Sequence, residues 1–371
     1  MCVDGSGYSK SVPRSSGLQL TRVLILQGVL AEYRRAVFDA LAEHYSVTVA
    51  HCGPVMRSPK NQFVERRLPL RSLGRFRFPS LRDLRPLVAD SDAVIAMFDL
   101  FWPGYCLSGL SHGAGKRWIL WGHRYGHSSV ANSIRNTIMR SADALLLYGW
   151  EHVDEMVAAG VERRRIFVAP NTVAVSNHQD LGGADKDAFI FVGRLQERKR
   201  LPDAIEAFAR VIADNGCGLK FHIVGEGAIE TDLRRMAERL GVSGAVEFHG
   251  AITDDERLSE LFRRSVAYVS PGPVGLSVLH SFAYGVPVLT LRSGYHGPEF
   301  HNIRHGANGF IADDALGLAK YMRILIEDRS VAARMGSAAY SLYASGRTIG
   351  AMVDGIRSAI EGRDFGSHRR V

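Results

Sequence analysis

The chain has few cysteines and no long apolar run. Its four cysteines in 371 residues are Cys2, Cys52, Cys106 and Cys217. Because they stand too far apart for a CxxC pair, they predict neither a disulfide framework nor a zinc site and are typical of a reducing compartment. The longest apolar stretch near the start, 23–31, is shorter than the roughly 18–20 residues that span a bilayer. Residues 1–19 are typical of a flexible tail without a signal peptide. We therefore predict a cytoplasmic protein.

Acidic residues are scarce in the first half of the chain. Residues 1–172 hold 22 Lys and Arg against 14 Asp and Glu, so this half carries the whole net charge of +8. In the segment from Arg57 to Arg85, nine basic residues face only Glu65 and Asp83, and phenylalanines interleave with them. Two interpretations stay open: a solvated loop face, or contact with anionic lipid on the inner face of the plasma membrane. No nucleic-acid partner is predicted, because no nucleic-acid module accompanies the charge.

Motifs of two other enzyme classes are missing. After the first predicted strand, 22–26, the sequence LQGVLAEYR holds a single glycine. A nicotinamide-dependent oxidoreductase would need the GxGxxG phosphate cradle at this point. No Asp-x-Asp pair follows an apolar strand either, and such carboxylates are the usual ligands of Mg²⁺. The sequence accordingly predicts no metal and no cofactor.

Short apolar runs alternate with amphipathic helical patterns along the whole chain. The predicted strands are 22–26, 46–50, 93–98, 117–122, 144–148, 166–170, 188–193, 219–225, 245–250, 266–270 and 287–291. This alternation is typical of an α/β protein with parallel sheets covered on both faces. A polar segment, 173–186, predicts a linker between two doubly wound, Rossmann-like domains that face a central cleft. Their predicted limits are 20–172 and 187–344, and a helix in 345–371 is able to return to the first domain.

Parallel sheets bind ligands at the carboxyl ends of their strands, so residues just after each strand are candidates. Gly193 and Arg194 follow the strand 188–193, and Lys199 stands five positions later. Two cations at such an edge suit a diphosphate that leaves as an anion. The alternative is a pair of surface cations beside a helix start.

Two further loops follow strands of the same predicted sheet. Glu226 lies between two glycines in the first-turn region of a predicted helix, where it either contacts a ligand or complements the helix dipole. Backbone groups from Gly250 to Ile252 are candidates for hydrogen bonds to a nucleotide base. The run PGPVGLSVLHSFAYGVPVLT, 271–290, places Gly275 and Leu276 at a glycine turn before a helix, which favours a phosphate or a polar sugar.

Five segments in 188–312 together resemble the C-terminal half of family 4 glycosyltransferases of the GT-B fold. They are FVGRLQERK, IVGEG, VEFHG, VGLSVLHSFAYGVPV and HGANGF, in the family's order and approximate spacing. The resemblance implies transfer from a nucleotide-sugar with retention of anomeric configuration and without a metal. It assigns the donor diphosphate to Arg194 and Lys199, and the sugar or its phosphate to amides near Gly275. It assigns the nucleotide ribose to His280 and a less defined donor-side role to Glu299.

Pro273 and His280 depart from the family's pattern, because they stand where it usually carries two glutamates. Proline has no side-chain acceptor and no backbone N–H, whereas a neutral imidazole offers one donor and one acceptor. The departure predicts an altered grip on the donor. It also supports the alternative of a non-catalytic protein that binds a nucleotide-sugar or a partner.

The N-terminal half resembles the family more loosely. Gln27, Tyr33 and Arg34 follow the first strand and are similar to the acceptor-side loop. His123 follows the strand 117–122 and resembles a histidine that contacts donor sugar or acceptor, although a buried structural histidine is the ordinary alternative. We therefore predict a retaining glycosyltransferase that moves a sugar from a nucleotide-sugar donor to a glycan or lipid-linked acceptor in surface polysaccharide synthesis. A sugar epimerase of similar architecture is a minor alternative.

Overall fold

Two parallel sheets form the frame of the chain, as the alternation of apolar runs predicts. The computed structural model describes residues 20–55, 61–111, 115–122, 128–175, 186–215, 218–292 and 296–363. The first sheet has the strand order β3-β2-β1-β6-β7-β8-β9, and the second has the order β12-β11-β10-β13-β14-β15. The predicted α/β fold class is confirmed.

The elements up to β9 form the first sheet, its helices and a separate hairpin. In chain order they are β1 (Arg22–Gln27), α1 (Glu32–Ala42), β2 (Ser46–His51), β3 (Val64–Arg67), β4 (Leu70–Leu73), β5 (Phe76–Pro79), α2 (Leu81–Ala89), β6 (Ala93–Met97), α3 (Pro103–Cys106), β7 (Arg117–Trp121), α4 (Ser129–Ser141), β8 (Ala144–Leu147), α5 (Val153–Ala158) and β9 (Ile166–Val168). Strands such as β1 are apolar almost throughout because helices cover both faces of the sheet.

The remaining elements form the second sheet and its helices. They are β10 (Ala188–Val192), α6 (Leu201–Asn215), β11 (Lys220–Val224), α7 (Glu230–Arg239), β12 (Val246–Gly250), α8 (Asp255–Arg263), β13 (Ser265–Ser270), α9 (Ser277–Ala283), β14 (Val288–Leu291), β15 (Gly309–Ala312), α10 (Ala315–Glu327), α11 (Arg329–Gly346) and α12 (Ile349–Glu361). One continuous apolar core surrounds this sheet. The first sheet has a separate apolar layer on each face.

In each sheet the order in which successive strands are added changes direction once. Each of these two points predicts a ligand crevice. In the first sheet β1 lies between β2 and β6, and in the second β10 lies between β11 and β13. At such a point the loops after adjacent strands diverge to opposite faces and leave a ligand crevice at the carboxyl ends. Gln27 ends β1, and Gly193 follows β10. Both reversals therefore present residues that the sequence had singled out.

The last helix, α12, returns to the first sheet. Its Met352, Ile356 and Ile360 pack in the same apolar layer as β1. A Cβ atom on Gly355 would lie 2.2 Å from the carbonyl oxygen of Val168, so only glycine allows this close approach to β9. The hydroxyl of Tyr45 donates to Glu361 at 2.6 Å. Helix α12 thus packs on the first sheet, as predicted for a helix in 345–371.

The basic segment contains an antiparallel hairpin, β4–β5, that the sequence did not reveal. Leu73 at its turn is 73% exposed, and Phe76 and Phe78 are also exposed. Residues 56–60, with Arg57 and Lys60, lie outside the described residues. Among the described helices, none is both long and apolar enough to span a membrane.

Candidate active site

The loop 271–276, between β13 and α9, lies at the strand reversal of the second sheet and is held from two sides. On one side, the Lys199 ammonium donates to the carbonyl oxygen of Pro273, and the Gly272 amide donates to the Lys199 carbonyl at 3.0 Å. A Cβ atom on Gly272 would lie 2.2 Å from the Arg198 carbonyl oxygen, so glycine permits this contact. Burial, with the charge of Arg198, lowers the pKa of Lys199.

His296 holds the other side of the same loop. Its Nδ1 accepts from the Val274 amide at 3.3 Å, and its Nε2 lies 3.1 Å from the Leu291 carbonyl oxygen. Since a carbonyl only accepts, Nε2 carries the proton, which is the neutral tautomer. The Gly297 amide also donates to the Val274 carbonyl at 2.8 Å. In the described part of the chain, the amides of Gly275 and Leu276 donate to no other group, so they are available to a ligand.

Glu299 connects the second sheet to the segment that follows β9. Its Oε1 accepts from the Asn171 side-chain amide at 2.8 Å, and its Oε2 would lie 3.9 Å from a Cβ atom on Gly275. Glu299 is 5% exposed. Burial raises the pKa of this carboxyl, and the hydrogen bond from Asn171 opposes the rise. The predicted donor-side carboxylate therefore lies beside the 271–276 loop.

Arg34 forms the opposing edge, at the strand reversal of the first sheet. Its guanidinium donates to Gln27 Oε1 at 2.7 Å and to the Tyr148 hydroxyl at 2.8 Å. It also lies 4.5 Å from the ring centroid of Trp121, which is a cation–π distance, and donates to the Tyr33 hydroxyl at 3.2 Å. The structure thus brings the three predicted acceptor-side residues into one hydrogen-bonded group around a buried cation.

A small cavity lies between the two edges. It is lined from the first half by Tyr148, Gly149, Glu151 and Asn171, and from the second by Leu279, Pro298, Glu299, His301, Asn302 and Arg347. Arg347 donates from Nε to the Asn302 side-chain oxygen at 2.9 Å, and burial lowers its pKa. The cavity contains several polar groups and both signs of charge, which suits a sugar or a phosphate better than an apolar ligand.

The loops after β10, β11 and β12 are joined by backbone hydrogen bonds at the same edge. The Leu195 amide donates to the Glu226 carbonyl at 2.9 Å, and the Gly225 amide donates to the Gly250 carbonyl at 2.7 Å. Arg194 is exposed, and its side chain has no hydrogen-bond or ion-pair partner within the described ranges. The predicted base-binding loop begins beside this edge, with Ile252 packed partly on the core.

Glu226 requires a correction. The helix α7 begins at Glu230, so Glu226 lies in the preceding loop and does not complement the first turn of that helix. Its side chain is exposed, and its Oε1 lies 3.5 Å from the Ala251 amide. A Cβ atom on the flanking Gly227 would lie 2.0 Å from the Leu195 carbonyl oxygen, so glycine permits this loop to pack against the loop after β10, ahead of the helix start.

His280 lies against a different set of neighbours from the rest of the predicted site. Its ring packs on Phe262 of α8 and on Tyr284, with ring centroids 5.4 and 5.5 Å away. Its Nε2 atom is buried without a partner among the described residues. Burial lowers the pKa of His280 to about 4, so the imidazole is neutral at physiological pH. Its predicted contact with the ribose stays a prediction.

Several residues of the site escaped sequence reasoning, and one predicted residue is not placed. His123 lies outside the described residues. His296, Trp121, Tyr148 and Asn171 were not assigned a role in the site. Trp121 ends β7 and Tyr148 follows β8. Aromatic residues with a polar N–H or O–H group at strand ends could therefore have predicted these two site residues. His296 had none, because both of its partners are backbone groups, the Leu291 carbonyl five residues before it and the Val274 amide 22 residues before it.

Known proteins resemble parts of this chain. The family model described as Glycosyl transferases group 1 matches residues 176–342. The lipopolysaccharide core biosynthesis glycosyltransferase LpsE of Rhizobium meliloti is 34% identical over 154 residues, which cover 41% of this chain and 43% of that protein. A D-inositol 3-phosphate glycosyltransferase of Streptomyces avermitilis is 28% identical over 54% of this chain and 48% of its own length. The chain spans less than half the length of these curated relatives.

Solved structures resemble nearly the whole chain. The Anabaena protein Alr3699/HepE, in complex with UDP, superposes with a TM-score of 0.69 at 18% identity and covers 92% of this chain and 100% of its own. A glycosyltransferase from Rickettsia africae superposes with a TM-score of 0.71 at 12% identity, over 92% of this chain and 98% of its own. The chain has the GT-B fold. At these identities the likeness concerns the fold alone.

Proposed function

We propose that this GT-B protein transfers a sugar from a nucleotide-sugar donor to a glycan or lipid-linked acceptor, with retention of anomeric configuration. The observation that carries the proposal is the 271–276 loop. Lys199 and His296 hold it at the strand reversal, with two amides free to donate, inside the region that matches group 1 glycosyl transferases. Exposed Arg194 follows β10 at the same edge.

These positions support the following proposed chemical step. The bond between the anomeric carbon and the diphosphate oxygen breaks, and the acceptor hydroxyl oxygen forms a new bond on the same face of the sugar. The hydroxyl proton passes to the leaving diphosphate. Arg194 and Lys199 stabilise the charge that develops on this group, which is the role a metal has in other transferases. We propose no metal and no cofactor in this step.

Pathway and donor are proposed from the relatives. HepE is described in complex with UDP and with UDP-glucose, so a UDP-sugar is the first donor to test here. LpsE acts in lipopolysaccharide core synthesis, which supports a role in surface polysaccharide assembly. The exposed hairpin β4–β5, with its arginines and phenylalanines, supports contact of a cytoplasmic protein with an anionic membrane that carries a lipid-linked acceptor.

The test measures diphosphate release with a panel of nucleotide-sugars and undecaprenyl-linked or glycan acceptors. We expect Arg194→Ala to lower donor-dependent release at least about tenfold, a loss of roughly 1.4 kcal/mol in transition-state stabilisation. Arg210→Ala is the control, because Arg210 only pairs with Glu206 on the surface of α6. Release that is equal in wild type and Arg194→Ala would contradict the proposed role of Arg194.

A second candidate function is binding of a nucleotide-sugar without transfer. It is favoured by Pro273 and by the neutral, mostly buried His280 at the positions of the family's glutamates. Tight donor binding with no turnover on any acceptor would support it. His280→Ala tests the donor contact in either case, since unchanged donor affinity would show that His280 does not touch the ribose.

A further inference from the structure

A cluster of two histidines and a glutamate lies on the edge of the second sheet. His222 on β11 is paired in register with Glu247 on β12, so both side chains project from the same face. The pairing then shifts between Ile223 and Val224, and His249 becomes an extra residue in β12. Such a bulge re-aims a side chain. Here it brings the His249 ring to the His222 ring, with centroids 5.1 Å apart.

The three side chains direct nitrogen and oxygen atoms at one point. His249 Nε2 lies 3.1 Å from His222 Nδ1, Glu247 Oε2 lies 3.3 Å from His222 Nδ1, and Glu247 Oε2 lies 3.8 Å from His249 Nε2. Ligands about 2.0–2.1 Å from a tetrahedral zinc ion are about 3.3 Å from one another. The cluster already has nearly that spacing.

The exposure of the three side chains fits a metal ion with one open position. His222 is 3% exposed, whereas the side chains of His249 and Glu247 are 17% and 40% exposed, which leaves an entry path and room for a water ligand. Lys220 lies 3.0 Å from Glu247 Oε1, so it orients the carboxylate and leaves Oε2 free. Two neutral imidazoles and one carboxylate are ligands that zinc accepts.

We propose that His222, Glu247 and His249 bind a zinc ion that fastens the edge strand β12 to β11. Gly250 and Ile252 follow directly, so the ion would hold the start of the loop predicted to contact the nucleotide base. The site is separate from the 271–276 loop and takes no part in the proposed sugar transfer. The proposal therefore goes beyond the proposed function, and either can fail alone.

The experiment titrates zinc chloride into the chelator-treated full chain by calorimetry and by competition with a chromophoric chelator. We expect one site in the wild type that is weakened at least about tenfold in His249→Ala and in Glu247→Gln. Zinc should raise the midpoint of thermal unfolding of the wild type, because it binds the folded state, and this rise should be lost in both variants. Circular dichroism checks that each variant is folded.

His152→Ala is the matched control. His152 also lies beside a glutamate, with Nδ1 3.2 Å from Glu155 Oε2, but it belongs to no group of three ligands in the described part of the chain. It should bind zinc as the wild type does. Equal zinc stoichiometry and affinity in wild type, His249→Ala and Glu247→Gln would overturn the proposal. Loss of diphosphate release with zinc binding intact would instead concern the proposed function.

Discussion

The two edges of the cleft hold their cations in opposite ways. Arg34 at the first sheet is buried and fully engaged by a glutamine, two tyrosines and a tryptophan ring. Arg194 at the second sheet is exposed and has no partner among the described residues. A cation held in place before the ligand binds also holds its neighbouring side chains in place. A cation without partners can move toward a charged ligand when that ligand binds. The first edge is therefore preorganised around Arg34. At the second edge the 271–276 loop is also held, by Lys199 and His296, and Arg194 alone of these cations is left to move onto a donor.

The largest effect should follow from removing the preorganised cation. Arg34→Ala leaves Gln27 Oε1 and two hydroxyls unpartnered in a buried site, and we expect a loss of about 2–4 kcal/mol in the free energy of unfolding. Arg34→Lys should recover only part of this, because an ammonium lacks the planar fork that reaches three acceptors. Guanidinium unfolding of all three proteins is the measurement. Equal stability of Arg34→Lys and wild type would break the comparison.

The next largest effect is the loss of folding stability at acid pH that we expect from His280. Its folded pKa of about 4 lies below the unfolded value of about 6.5, so the unfolded chain binds more protons between these values. Stability is therefore lost as pH falls through this window, by about 2 kcal/mol between pH 7 and pH 5. His280→Leu should show a correspondingly smaller loss in guanidinium unfolding at the two pH values.

His152→Ala is the control for this acid effect, because His152 is about two-fifths exposed. It should lose stability with acid as the wild type does. The histidines of β11 and β12 are unchanged in both variants, so their share of the acid sensitivity cancels. A loss in His280→Leu as large as in the wild type would show that His280 titrates normally.

Arg194 should show the opposite behaviour to Arg34, with little effect on folding stability and a large effect on activity. Arg194→Ala is expected to change the free energy of unfolding by no more than about 0.5 kcal/mol, since the side chain is exposed and has no hydrogen-bond or ion-pair partner among the described residues. Its effect belongs to diphosphate release alone. The comparison is sharpened by plotting stability against activity for Arg34→Ala and Arg194→Ala. Destabilisation of Arg194→Ala by more than 1 kcal/mol would place Arg194 in the folded framework.

The smallest effect is expected at Glu299, between the edges. Because burial raises its pKa above the unfolded value, the folded chain binds the proton more tightly, and stability falls as pH rises through that interval. Glu299→Gln removes this fall, so its stability relative to wild type should increase from pH 4 to pH 7. Glu327→Gln, an exposed change at the end of α10, should show no such trend. A flat difference for Glu299→Gln would mean that the carboxyl is not desolvated.

The comparison also shows what the sequence was able to predict. Apolar runs predicted both sheets apart from their edge strands β3 and β15. The rule that ligands bind at the ends of parallel strands placed Arg194 and Lys199 among the candidates, and the family resemblance added Arg34; the roles of all three stay predictions. The exposed hairpin β4–β5 was missed because each strand has only four residues and Leu70–Leu73, LRSL, does not alternate apolar and polar positions. Asn171 and Glu299 are 128 residues apart and meet only in the tertiary structure. The zinc ligands were missed because cysteine spacing carries no information about a bulge in β12.

The return of α12 has a mechanical consequence. The chain passes between the two halves twice, once after β9 and once between α11 and α12. Two domains connected by one segment can separate and rotate in any direction. Two connecting segments allow easy rotation only about the line that runs from one segment to the other. Any opening or closing of the cleft would therefore be a swing about that line. Each swing would bring Arg34 back to the same place opposite the 271–276 loop.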